Sequence, residues 1–198
     1  MGVLLSVELC SLTMQRGDFS VANLIASGLF GDGAAAMVGV GDKRADAIGI
    51  DGPRVVATQS RFYPDTERVM GWDVGDTGFQ IVLDASVPDV VKANIRQDVD
   101  RFLSQHELGR ADINTWIAHP GGPKVLTAFE DSLQLPPDAL KHTWTSLEAV
   151  GNLSSSSVLF VLRDTLAAET PPSGAHGLMM AMGPGFCSEF VLLRWSDA

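Results

Sequence analysis

The chain has 198 residues, a formal net charge of −10, 45% hydrophobic and 19% charged residues, which allows a sizeable core and excludes disordered, collagen-like and disulfide-rich classes. Acidity without a Lys/Arg stripe excludes nucleic acid as the expected partner, although helix N-terminal amides and a few local cations can still hold a small polyanion such as a coenzyme. Cys10 and Cys187, with no CxxC and no secretory leader, predict a reduced cytoplasmic setting, and every apolar run stops short of the roughly 18–20 residues of a membrane helix.

MGVLLSVELCSL is leucine-rich and β-branched and predicts a buried strand already under way at the first residue. Helical spacing follows over 19–29, and LFGDGAAAMVGVG predicts a glycine turn feeding a second strand. GDKRADAIGIDGPR is expected as a turn-rich connection, VVATQSRFY as a strand, the stretch holding Pro64, Gly71, Gly75 and Gly78 as a polar loop, and FQIVLDA as a strand. Pro88 opens an amphipathic helix with Val91, Ile95, Val99, Phe102 and Leu103 on one face. A strand over 115–118, helices over 121–131, 137–147 and 152–166, and a closing pair GLMMAMG and CSEFVLLRW complete the order. Strands alternating with helices imply a layered α/β fold with the sheet between helices.

His119 ends an apolar strand pattern and precedes Pro-Gly-Gly and a helix. Functional groups of α/β folds gather at such strand ends, but a lone histidine also serves as a helix cap or a partner for a buried carbonyl. Asn152 enters the last predicted helix behind Gly151; it reads either as an N-cap or as an amide donor facing a cavity. The serines after it read as helix-start chemistry and close packing. Cys10, placed inside a strand, and Cys187, near the last strand, lack the helix-start position that lowers a thiol pKa and read as structural thiols. The sequence has no GxSxG, HExxH or P-loop, and His106, His142 and His176 form no metal-ligand spacing.

ELCSL, LFGDGAAA, HPGGPKVL, GNLSSSSVLF and AMGPGF occur in this order, and together they resemble the type III polyketide synthases, the chalcone-synthase-like branch of the thiolase superfamily. SVELCSL has the flavour of a bacterial member. The resemblance implies a thiolase-like layered αβαβα architecture, with 1–40 as the end of the N-terminal half and 41–198 as the C-terminal half. It implies a Cys-His-Asn site that condenses an acyl-CoA starter with malonyl-CoA, without a separate cofactor or metal. In that site His119 and Asn152 match the family histidine and asparagine. Phe30 and Phe79 match the gating phenylalanines, against a plain core-packing reading for any single Phe. Gly121 and Gly122 match positions where the backbone approaches the pantetheine arm, and Met182, Gly183, Pro184 and Gly185 match the cavity-shaping loop, with Met182 where the family has Phe.

No residue matches the family cysteine, which lies upstream of the ELCSL strand. The expectation is therefore a C-terminal portion of a synthase that makes no polyketide alone and belongs, in the complete enzyme, to a homodimer. The alternatives are a non-catalytic or complementing chain that binds a partner, such as an N-terminal half, and a ketoacyl-carrier-protein synthase III, against which the HPGG context argues.

Overall fold

The computed structural model describes residues 1–50, 52–168 and 171–195. Its centre is a four-stranded sheet built from β3 (Pro53–Phe62), β8 (Cys187–Trp195), β7 (His176–Gly183) and β6 (Ile113–Ala118), in that spatial order. β8 runs antiparallel to both neighbours, whereas β6 and β7 are parallel. Side chains alternate across a strand, so the sheet presents two apolar faces. Trp116, Ala118, Leu178, Met180, Phe190 and Leu192 pack against α3 (Val87–Ser104) and α4 (Pro123–Leu133). Ile117, Met179, Val191, Leu193 and Trp195 pack against Val158, Val161 and Leu162 of α6 (Ser157–Ala168). The expected sandwich of sheet between helix layers is present.

α3 carries out the predicted periodicity: Val91, Ile95, Val99, Phe102 and Leu103 are all buried, and Pro88 lies in its first turn. The first 40 residues form a separate antiparallel ribbon of β1 (Gly2–Glu8) and β2 (Gly33–Gly39), linked by α1 (Val21–Leu29). Ser20 caps α1 by accepting from the Asn23 N–H at 3.3 Å. The ribbon is tied to the turn that leads into α6 by Ser6 Oγ, 2.7 Å from Ser155 Oγ and 2.8 Å from Ser156 Oγ.

Several elements depart from the sequence reading. The supposed turn-rich connection contains α2 (Asp42–Ile48), which ends at Gly49 in the left-handed conformation (φ 62°); too short and polar to show an apolar stripe, it left no periodic signal. The supposed polar loop contains β4 (Met70–Gly75), hairpinned to β5 (Gly78–Leu83) through Asp76 and Thr77. Its Met, Trp and Val do alternate with Gly and Asp, but the glycines read as breakers. α5 spans Lys141–Val150, later than predicted, after a turn over 137–140. The last helix begins at Ser157 behind a 3-10 turn, Ser154–Ser156. Cys10 is not inside a strand but opens a 3-10 turn, Cys10–Thr13.

Candidate active site

His119 follows directly on β6. Its backbone N–H donates to the Met180 carbonyl at 2.8 Å, carrying the β6–β7 pairing one residue past the strand, and its carbonyl accepts from the Gly121 N–H at 2.8 Å. The second bond bends the chain at Pro120. Gly122 then adopts φ 144°, a backbone conformation that favours glycine. Its carbonyl accepts from the N–H groups of Val125 and Leu126, both at 3.1 Å, closing the first turn of α4. Thr143 of α5 donates to the Ala118 carbonyl at 3.2 Å, so the strand end is held from the neighbouring helix as well.

The His119 ring makes no hydrogen bond to any described residue and does not cap α4, whose N-cap Gly122 makes no side-chain cap bond. It keeps partial solvent contact, yet the packed surroundings disfavour the imidazolium strongly enough to lower the pKa to about 4. At neutral pH the ring is an uncharged imidazole with one N–H donor and one free acceptor. Neither of the structural roles open to it in the sequence is the one it performs.

Asn152 is 3% exposed and lies between two chain segments far apart in sequence. Its backbone N–H donates to the Leu29 carbonyl at 2.8 Å and its carbonyl accepts from the Gly31 N–H at 2.9 Å, a parallel bridge centred on Phe30. Its Oδ1 accepts from the Ser154 N–H at 2.8 Å, which fixes the amide so that Nδ2 points toward the Gly121 carbonyl, 3.4 Å away. Asn152 is therefore not an N-cap: the 3-10 turn is preceded by Leu153, which makes no side-chain cap bond, and the Asn152 side chain closes a local turn onto the Ser154 N–H, while Ser157 Oγ accepts from the Leu153 N–H at 2.6 Å. Gly121 is the common neighbour of the pair, because a Cβ there would lie 3.6 Å from His119 Cδ2. The FGDG glycines have a packing reason: Cβ atoms on Gly31 and Gly33 would stand 3.1 and 2.8 Å from Leu153.

The structure thus brings His119, Gly121, Asn152 and the backbone of Phe30 together, with Gly122 against Leu29. Phe79 is on the β4–β5 hairpin, 54% exposed and edge-on to Trp72 at 6.0 Å. Met182, Gly183, Pro184 and Gly185 form the end of β7 and the turn into β8. That turn is held by the segment that follows β3: the Tyr63 N–H donates to the Phe186 carbonyl at 3.0 Å, and the Phe186 N–H donates to Thr66 Oγ1 at 2.8 Å. Burial, then neighbouring acids, raise the pKa of both thiols, Glu8 and Asp32 acting at Cys10 and Glu189 at Cys187. Both remain protonated thiols at neutral pH, so opening a 3-10 turn does not activate Cys10. Among the described residues no three His, Cys, Asp or Glu are grouped to hold a metal ion, and no helix is long and apolar enough to cross a membrane.

The sequence reading missed Leu29, whose carbonyl orients Asn152, and Gly151, which makes that approach possible at φ 72°. Gly151, directly before Asn152, was the available signal for an unusual backbone angle. Leu29 contributes through its main chain, which no side-chain pattern reports.

Residues 54–196 match the family model described as "Chalcone and stilbene synthases, C-terminal domain". A 1,3,6,8-tetrahydroxynaphthalene synthase of Streptomyces peucetius subsp. caesius is 56% identical over 193 residues, covering 98% of this chain and 51% of the relative. A putative chalcone synthase of Bacillus subtilis is 38% identical, covering 98% and 53%. The crystal structure of the 1,3,6,8-tetrahydroxynaphthalene synthase of Streptomyces coelicolor A3(2), a bacterial type III polyketide synthase, superposes with a TM-score of 0.89 at 32% identity, covering 99% of this chain and 54% of that one. The chain spans about half the length of the curated relatives it matches. On the strength of that match the chain belongs to the chalcone and stilbene synthases, the type III polyketide synthases with a thiolase-like fold, and it carries their C-terminal domain.

Proposed function

We propose that this chain supplies the enolate-stabilising pair of a type III polyketide synthase, and that the nucleophilic cysteine comes from the half of the fold it does not contain. The carrying observation is the convergence of the uncharged His119 ring and the fixed Asn152 amide on Gly121. When a malonyl thioester loses CO2, the bond between its carboxylate and methylene carbon breaks and the electron pair moves onto the thioester oxygen as an enolate. The His119 N–H and the Asn152 amide donate to that oxygen, and preorganised donors of this kind stabilise it without reorientation. The methylene carbon then attacks an acyl group held on the cysteine; a C–C bond forms and the thiolate leaves. A thiolate beside His119 raises its pKa by ion pairing, the reverse of the burial effect in this chain.

In the same proposal Gly121 and Gly122 border the pantetheine arm of the acyl-CoA and malonyl-CoA substrates, and Phe30, bridged to Asn152, gates the way to the cavity. Phe79 is the second gate, and Met182, Gly183, Pro184 and Gly185 line the cavity. Residues 1–40 are the end of the first half and 41–198 the second, which agrees with a β1–β2 ribbon separate from the four-stranded sheet. The complete enzyme is a cytoplasmic homodimer in this reading and needs no bound cofactor.

The test is a chimera that joins the first half of the 56%-identical relative to Met1 in one chain, assayed for CO2 release from malonyl-CoA and for condensed product. Turnover is expected from the chimera and none from the present chain; His119→Gln and Asn152→Ala should each lower it by about 10²–10³-fold, the scale for losing one oxyanion donor. Condensed product from the present chain alone, or full turnover in both variants, overturns the proposal.

A further inference from the structure

The loop from Met182 to Gly185 is anchored by the residue that follows it. Phe186 is fully buried, and one short segment after β3 bonds both of its main-chain polar groups: Tyr63 N–H donates to its carbonyl, and its own N–H donates to Thr66 Oγ1. The Thr66 hydroxyl donates its proton to the Tyr63 carbonyl at 2.5 Å, which leaves its lone pairs free to accept. A hydroxyl bonding a carbonyl three residues back is an ordinary turn device. Accepting from a residue 120 positions later is not, and it makes Thr66 a clamp on the loop. Removing that acceptor strands the N–H of a fully buried residue, the costly kind of hydrogen-bond loss.

The clamp reaches several parts of the proposed site. The Gly185 N–H donates to the carbonyl of Met70, the first residue of β4, at 3.3 Å, which ties the loop to the hairpin that carries Phe79. The Phe186 ring lies 6.1 Å from the Tyr63 ring, in a cluster onto which Met70, Leu83, Val125 and Met182 pack. Val125 belongs to α4, and a Cβ on Gly121 would lie 3.5 Å from its Cγ1. The cluster therefore extends from the anchored loop to the residue beside His119, and close-packed interiors transmit displacements. Thr66 itself bonds Tyr63, Phe186 and Val69, not His119 or Asn152.

We propose that Thr66 is a positioning residue that governs product length: by holding Phe186 it fixes the Met182–Gly185 loop against the β4–β5 hairpin, and with it the depth of the cavity. The inference rests on the proposed function above, in which the loop lines the cavity and the hairpin bears the second gate. Each condensation lengthens the bound chain by one acetyl unit, so the room left by the loop limits how many are added. Enolate formation at His119 and Asn152 does not depend on that room.

The experiment introduces Thr66→Val, which removes the hydroxyl at nearly constant volume, Thr66→Ala, which removes it in a second shape, and Thr66→Ser, which keeps it, into the chimera described above. Amide hydrogen exchange at Phe186, CO2 release from malonyl-CoA and the lengths of the condensed products are measured in each. Both Thr66→Val and Thr66→Ala should speed exchange at Phe186 by about tenfold, leave CO2 release unchanged, and shift the ratio of longer to shorter products by about tenfold, the lower end of what one methylene of pocket space discriminates. Thr66→Ser should match the parent in all three. Unchanged exchange at Phe186, an unchanged product ratio in a chimera that turns over, or a fall of CO2 release and every product in parallel overturns the inference and leaves the catalytic reading standing. A parent chimera without turnover overturns the catalytic reading itself and the inference with it.

Discussion

Gly151→Ala tests the backbone junction that orients Asn152. Gly151 sits at φ 72°, ψ −154°, a region almost closed to residues with a Cβ, at a cost of about 1–3 kcal/mol. The added carbon would lie 2.6 Å from the Leu29 carbonyl oxygen, closer than real Cβ atoms come. That carbonyl accepts the Asn152 N–H, so moving it aside forfeits a hydrogen bond worth about 1 kcal/mol net. Together the two effects give about 2–4 kcal/mol, or a urea midpoint lower by about 1–2 M at a slope near 2 kcal/mol/M. Tryptophan fluorescence reports the transition, because Trp116 and Trp195 are buried in the sheet packing. The internal control is Gly28→Ala in α1, where nothing lies within 4 Å of an added Cβ; it should stabilise by about 0.5–1 kcal/mol through helix propensity. If Gly151→Ala moves the midpoint by less than about 0.3 M, or in the same direction as Gly28→Ala, the junction does not carry the strain assigned to it.

Two further predictions concern buried groups. The folded pKa of His119, about 4, lies below its ordinary value of 6.5, so between those pH values the unfolded chain binds the extra proton and stability rises with pH, levelling off above 6.5. Lowering the pH from 7 to 5 should cost about 2 kcal/mol more in the parent than in His119→Gln, measured by urea titration at the two pH values; equal losses refute the assignment. Tyr63 Oη donates to Asp98 Oδ2 at 2.7 Å and lies 2.9 Å from Ser188 Oγ in a buried setting that raises the phenol pKa, chiefly by burial. Tyr63→Phe should destabilise by about 1–3 kcal/mol, and a double-mutant cycle with Ser188→Ala should show non-additivity; purely additive losses would mean the hydroxyls act independently.

Legibility in the sequence followed the physics of each signal. α3 and the β6–β8 strands were readable because each buries a regular stripe or alternation, as Val91 through Leu103 and the two faces of CSEFVLLRW show. α2 and β4 were missed where glycine and charge masked a short element. His119 and Asn152 were legible as types at suggestive positions, but neither could be told from a cap by local pattern. Separating them took two facts that exist only in three dimensions: the unbonded His119 ring and the Leu29–Asn152 bridge. Phe79 shows the converse, since the residues around it carry no motif like LFGDG and its surroundings in this chain are an exposed hairpin.

The bridge between Phe30 and Asn152 also bears on where the chain can be cut. The family match spans 54–196 and contains both His119 and Asn152, so a fragment trimmed to it would keep every polar side chain proposed for catalysis. It would lose the Leu29 carbonyl and the Gly31 N–H that anchor the asparagine backbone, and the glycines on which Leu153 rests. The backbone placement of that asparagine is thus encoded outside the matched region, in a segment whose contribution is almost entirely main chain, while its amide is fixed by Ser154 within it.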